Sequence, residues 1–61
     1  MKFIKVTKTN NDIVYINAYH ITEIITNNYD EVYIYTKDMR IAVRESIEEV
    51  LALLGENVKQ G

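Results

Sequence analysis

Apolar positions along the chain follow a period of two for most of its length and switch to a helical period near the end. Ile4 and Val6 alternate with Lys5 and Thr7, the spacing of a strand with one buried face, so Lys2 to Thr7 is predicted as the first strand. The polar cluster Lys8-Thr9-Asn10-Asn11-Asp12 follows. Asn and Asp tolerate left-handed backbone and bond their own main chain, so this reads as a hairpin loop. Ile13-Val14-Tyr15-Ile16-Asn17 is β-branched and aromatic, strong strand material, with Val14 and Ile16 on one face and Ile13 and Tyr15 on the other. Ile21 and Ile24 then stand three apart, which suits a helical turn. A corner is predicted over Ala18 to Glu23, leading into a short strand at Ile24-Ile25-Thr26.

A second turn cluster, Asn27-Asn28-Tyr29-Asp30, precedes the alternating run Glu31 to Thr36, in which Val32 and Ile34 face inward while Tyr33 and Tyr35 do not. Lys37 to Arg40 makes the next turn, and Ile41 to Arg44 the last strand. Met39 occupies a place where a tight primed turn prefers glycine, which predicts a wider turn. Ser46-Ile47-Glu48-Glu49 is a capping box: the hydroxyl of Ser46 meets the amide three residues on, and the Glu49 side chain reaches back. Ile47, Val50, Leu51 and Leu54 form one apolar stripe, and Gly55 supplies a left-handed stop. The fold class is therefore α+β. It is an antiparallel meander of four to five short strands with one C-terminal helix on one sheet face, a single domain over residues 1–55 followed by a flexible tail at 56–61.

Composition narrows the function. A chain of 61 residues hides only about 60% of the surface its unfolded form exposes. Such thin cores are commonly reinforced by disulfides, metals or association. With no cysteine, neither a disulfide nor a thiolate zinc site forms, which favours a cytoplasmic location and leaves oligomerisation as the reinforcement. Seven Lys/Arg against nine Asp/Glu give a net charge of −2, the wrong sign for a phosphate-neutralising surface, so nucleic acid is disfavoured. No apolar run is long enough to span a bilayer, and Met1 to Lys5 is too short and charged to serve as a signal peptide.

Candidate chemistry is sparse. Ser46 has a complete role as a helix cap and no histidine near it in sequence. His20 stands alone, whereas a metal takes three or four ligands. Asp12, Asp30 and Asp38 fall in turns, where Asp belongs for backbone reasons, and glycine at only Gly55 and Gly61 makes no phosphate cradle. No catalytic, metal or cofactor site is expected, and the chain is expected to act by binding.

Alternation sends Phe3, Ile13, Tyr15, Tyr33, Tyr35 and Ala42 to the side away from the helix. A wet sheet face is normally rich in Lys, Glu and Thr, whereas aromatics with polar tips are enriched at protein interfaces. Phe3, Ile13, Tyr15, Tyr33 and Tyr35 are thus the candidate self-association or partner-binding residues, with a homodimer favoured. The plainer alternative is that tyrosine has high strand propensity and lies half exposed.

Several segments together resemble a known family. Ile4-Lys5-Val6-Thr7, Ile16-Asn17-Ala18, Ile21 and Ile24, the Val-x-Ile-x-Thr run at Val32 to Thr36, and Val43-Arg44-Glu45-Ser46-Ile47-Glu48-Glu49-Val50 are similar to the short FlbD-type proteins of bacterial flagellar operons. The likeness spans about Ile4 to Leu54, and Met39 departs from the glycine often found in that turn. It implies a small non-enzymatic protein with a strand-rich N-terminal part, associated with motility. Two further classes stay open: a small phage-encoded inhibitor of the anti-defence type that blocks a host protein, and, more weakly, a nucleic-acid module that stacks bases on its tyrosines.

Overall fold

The computed structural model describes residues 2–55. Five strands and a helix follow in the order β1 (Phe3–Thr7), β2 (Ile13–Asn17), a 3-10 turn (Ala18–His20), β3 (Ile21–Thr26), β4 (Val32–Thr36), β5 (Arg40–Val43) and α1 (Ile47–Leu54). The tail assigned to residues 56–61 lies outside the described residues.

All pairing is antiparallel, and it divides the strands into two sheets, β1-β2 and β3-β4-β5. The sheets are joined at one corner. Lys8 bridges Val43, the Thr9 amide donates to the Ala42 carbonyl at 3.3 Å, and the Arg44 amide donates to the Thr7 carbonyl at 2.8 Å. The chain is therefore two short ladders stitched end to end, in the running order β2-β1-β5-β4-β3, rather than one flat meander.

Two of the three hairpin loops are built on left-handed residues, as Asn and Asp allow: Asn11 at φ 75° between β1 and β2 and Asp30 at φ 61° between β3 and β4. The Asn27 side chain braces the latter, accepting from the Tyr29 amide at 2.9 Å and from the Glu31 amide at 3.2 Å. The corner before β3 differs from the expected one. The 3-10 turn is only Ala18–His20, capped by Asn17, whose Oδ1 accepts from the Tyr19 amide at 3.0 Å, and the strand already begins at Ile21. A bulge between Ile21 and Glu23 explains why the spacing misled: Ile21 pairs with Thr36, but Glu23 pairs with Tyr35 and Ile24 with Ile34. The extra residue resets the alternation, so positions three apart both pack against the core. At the other end of the ladder β5 starts at Arg40, paired with Tyr35, and stops at Val43, while Lys2, Glu31 and Arg44 fall outside their strands.

The core is aliphatic. Ile4, Val6, Ile16, Val32, Ile34, Ile41 and Val43 come from the sheets and Val50 from α1, with Ile21, Ile24, Ile47 and Leu54 packed partly buried around them. Val14, expected among the buried set, is only half-buried, because no element among the described residues covers it beyond its packing on the cluster.

The helix carries its predicted caps. The Ser46 Oγ accepts from the Glu49 amide at 3.2 Å, and a Glu49 oxygen accepts from the Ser46 amide at 2.9 Å. Gly55 takes the left-handed conformation at φ 76°, its amide donating to the Ala52 carbonyl at 3.0 Å. Lys2 from the opposite end of the chain completes this cap, donating from Nζ to the Leu54 carbonyl at 2.6 Å. That ammonium also complements the negative end of the helix dipole.

Replacing Ser46 with alanine removes the hydroxyl that accepts from the Glu49 amide, while the backbone amide that donates to the Glu49 side chain stays. A loss of about 0.5–2 kcal/mol is expected, readable as a fall of several degrees in Tm; an unchanged Tm would mean that the helix does not depend on its cap.

Candidate functional site

The residues singled out by alternation do face away from the core, but the structure distributes them over two surfaces. On β1-β2, the outward positions are Phe3, Lys5, Thr7, Ile13, Tyr15 and Asn17, with Lys5 opposite Tyr15 and Thr7 opposite Ile13. Phe3, Ile13 and Tyr15 are 54%, 56% and 64% exposed, so this is the open half of the aromatic set. On β3-β4-β5, Tyr33 is flanked by Ile25 and Ala42, and Tyr35 by Glu23 and Arg40. Both tyrosines there are half-buried. The Arg40 guanidinium lies over the Tyr33 ring, 5.3 Å from its centroid. That stacking satisfies one ring face with a cation from within the chain, so the second surface is partly closed by its own side chains while the first is not.

A groove of about 510 Å³ runs along the open edge of β2, where Phe3, Tyr15 and Asn17 approach His20 and the β4-β5 turn with Asp38 and Met39. Val14, Ile16 and Ile41 form its apolar floor. Met39, which stands where a tight turn prefers glycine, is 57% exposed on the rim. The turn accommodates it through Thr36, whose Oγ1 accepts from the Asp38 and Met39 amides at 3.3 and 3.2 Å, while the Thr36 amide donates to the Met39 carbonyl at 2.8 Å.

The other candidate groups take structural places. Ser46 and Glu49 form the cap described above. Asp12 accepts from the Asn10 side chain at 3.2 Å in the first hairpin loop. Among the described residues, no group of three or more His, Cys, Asp or Glu is placed to hold a metal ion, and no helix is long and apolar enough to cross a membrane.

Sequence reasoning missed Glu45. Both of its carboxylate oxygens accept from the Thr7 amide, at 2.9 and 3.0 Å, across 38 positions of sequence. Nothing local to Glu45 signals that contact. Arg40 was legible in principle, since it pairs with Tyr35 and thus shares a face with Tyr33 one step along the neighbouring strand. Tyr19 and Tyr29, the most exposed aromatics, sit in the 3-10 turn and the β3-β4 turn. Aromatic residues inside polar turn clusters are the signal that finds them.

Comparison with known families agrees with this architecture. The model of FlbD, flagellar and swarming motility proteins, matches residues 3–59. The chain belongs to the FlbD family. The match covers every strand, the helix and both aromatic surfaces of this FlbD chain. No curated protein and no solved structure matches it significantly.

If the Arg40 guanidinium contributes to holding Tyr33, a double-mutant cycle between Arg40→Ala and Tyr33→Leu should give a coupling of about 0.5–1 kcal/mol in urea denaturation. Additive single effects would mean that the stacking carries no energy.

Proposed function

We propose that this FlbD chain is a non-enzymatic, self-associating protein-binding module that serves as an accessory component of flagellar or swarming motility. The observation that carries the reading is the open β1-β2 surface: Phe3, Ile13 and Tyr15 are each more than half exposed on one small sheet. Large apolar side chains grouped in that way mark interaction sites on soluble proteins. Aromatic residues are also the ones that dominate binding energy when an interface forms. The family match supplies the motility setting.

Self-association also suits the size of the core. Eight buried aliphatic residues among the described ones are a small core, and covering Phe3 and Tyr15 would add apolar burial without adding chain to be ordered. A symmetric contact needs only one such surface, because each copy offers the same patch to the other.

Light scattering at micromolar concentration tests the reading. The wild type is expected at the mass of an oligomer, and the double substitution Phe3→Lys, Tyr15→Lys at the mass of a monomer. Two lost anchors and the added like charges should raise the dissociation constant by at least about 100-fold. A wild type that runs as a folded monomer, or a double mutant that keeps the wild-type mass, would show that this surface does not hold copies together.

A further inference from the structure

We propose that a second copy of this chain pairs edge to edge with β2, antiparallel, about a two-fold axis passing at Tyr15. The proposal rests on the self-association reading above and assigns it a strand and a register. Hydrogen bonds at the two ends of the β1-β2 ladder fix which way each β2 residue points. The Ala18 amide donates to the Lys2 carbonyl and the Lys8 amide to the Asp12 carbonyl, both at 2.8 Å. Antiparallel pairs alternate between bonded and non-bonded, so with Ile4 opposite Ile16 and Val6 opposite Val14 these even positions of β2 bond to β1. The amides and carbonyls of Ile13, Tyr15 and Asn17 therefore point away from β1; those of Ile13 and Tyr15 and the Asn17 amide take no backbone partner among the described residues, while the Asn17 carbonyl opens the Ala18–His20 turn and keeps one lone pair for a neighbouring strand.

The other edges are guarded. At the outer edge of β1, the Thr7 amide is held by Glu45 and its carbonyl accepts from Arg44. The outer edge of β3 is broken by the bulge at Ile21 and Glu23 and carries the Glu23 charge. Bulges and charges are the usual means of keeping an edge from pairing with another chain. The edge of β2 has neither, for Ile13-Val14-Tyr15-Ile16-Asn17 is uncharged, free of proline and glycine, and in unbroken register.

A two-fold axis sets only the central side chain opposite its own twin, and an uncharged strand such as β2 meets no like charge in any register. Centring the axis on Tyr15 places Ile13 opposite Asn17 of the other copy and Tyr15 opposite its twin, which engages all three outward residues. Centring it on Val14 or Ile16 engages only two. In the Tyr15 register, Asp12 of each copy comes beside the other copy's Ala18–His20 turn, and no like charges meet along the strand. The added strand would lie along the groove of about 510 Å³ at this edge. Its Ile16 would enter beside Val14, which the single chain leaves half-buried, and near Met39.

The chain contains no cysteine, so a single introduced thiol reports its own distance to its twin. In a bonded antiparallel pair the Cα atoms are about 5.5 Å apart, within the range of about 4.4–6.8 Å that a disulfide spans. Under mild oxidation Tyr15→Cys is expected to convert to covalent dimer. Ile13→Cys alone is expected to stay uncoupled, its twin lying about 13 Å away along the strand, and Ile13→Cys combined with Asn17→Cys to couple again. Hydrogen exchange on the unaltered protein reads the same edge without any substitution. The amides of Ile13, Tyr15 and Asn17 should exchange more slowly as concentration rises. If the wild type is an oligomer yet Tyr15→Cys couples no better than Ile13→Cys, or those amides exchange at one rate at every concentration, the edge pairing is wrong while self-association stands. A monomeric wild type overturns both.

Discussion

The corner where β1 meets β5 is the constraint from which the rest of the architecture follows. Two antiparallel ladders, each local in sequence, have no covalent reason to face one another. The Lys8–Val43 bridge, its two flanking backbone bonds and the Glu45 clip on the Thr7 amide supply that reason. By fixing the end of β1 to the end of β5, the corner brings Ile4 and Val6 into the same cluster as Ile41 and Val43. It also aims the chain so that α1, starting four positions after Val43, returns along β1 and inserts Val50 into the cluster. A charged acceptor on a backbone amide is worth more than a neutral one, and here it closes the end of a strand that would otherwise offer Thr7 to water.

Elements whose signals are local were readable from the chain. Ser46 with Glu49, the helix stripe, Gly55, and the left-handed Asn11 and Asp30 all depend on residues within a few positions of each other. What was not readable depends on registration between distant segments. The bulge at Ile21 and Glu23 made a strand imitate a helical period. The way the two sheets are joined is set by Glu45 and Lys8, whose partners lie more than thirty positions away. The candidate surface divides along the same line. Alternation correctly turns Phe3, Tyr15, Tyr33 and Tyr35 outward, but period two carries no information about which sheet a strand joins. It therefore merged two surfaces that differ in character, one open and one partly covered by Arg40.

The fold handles its exposed backbone unevenly. Glu45 seals one strand end, Lys2 seals the helix end at Leu54, and a bulge with Glu23 interrupts a third site. These devices come from charged residues whose placement only the tertiary structure explains. The side that is left without them also carries the exposed Phe3, Ile13 and Tyr15 and the groove, so backbone and side chains point to the same part of the molecule.

Every strand pairing within the two sheets joins neighbours in sequence, and that locality has a kinetic meaning. A hairpin with a short connection such as Lys8 to Asp12 closes in about 1–10 μs. Two molecules at ~1 μM, associating at about 10⁵–10⁷ M⁻¹s⁻¹, meet only every 0.1–10 s or so. β2 is therefore paired with β1 some four orders of magnitude or more before another chain arrives. An uncharged strand can thus persist in this sequence without serving as a seed for disordered aggregation, because what a newcomer encounters is a finished edge of fixed length and twist.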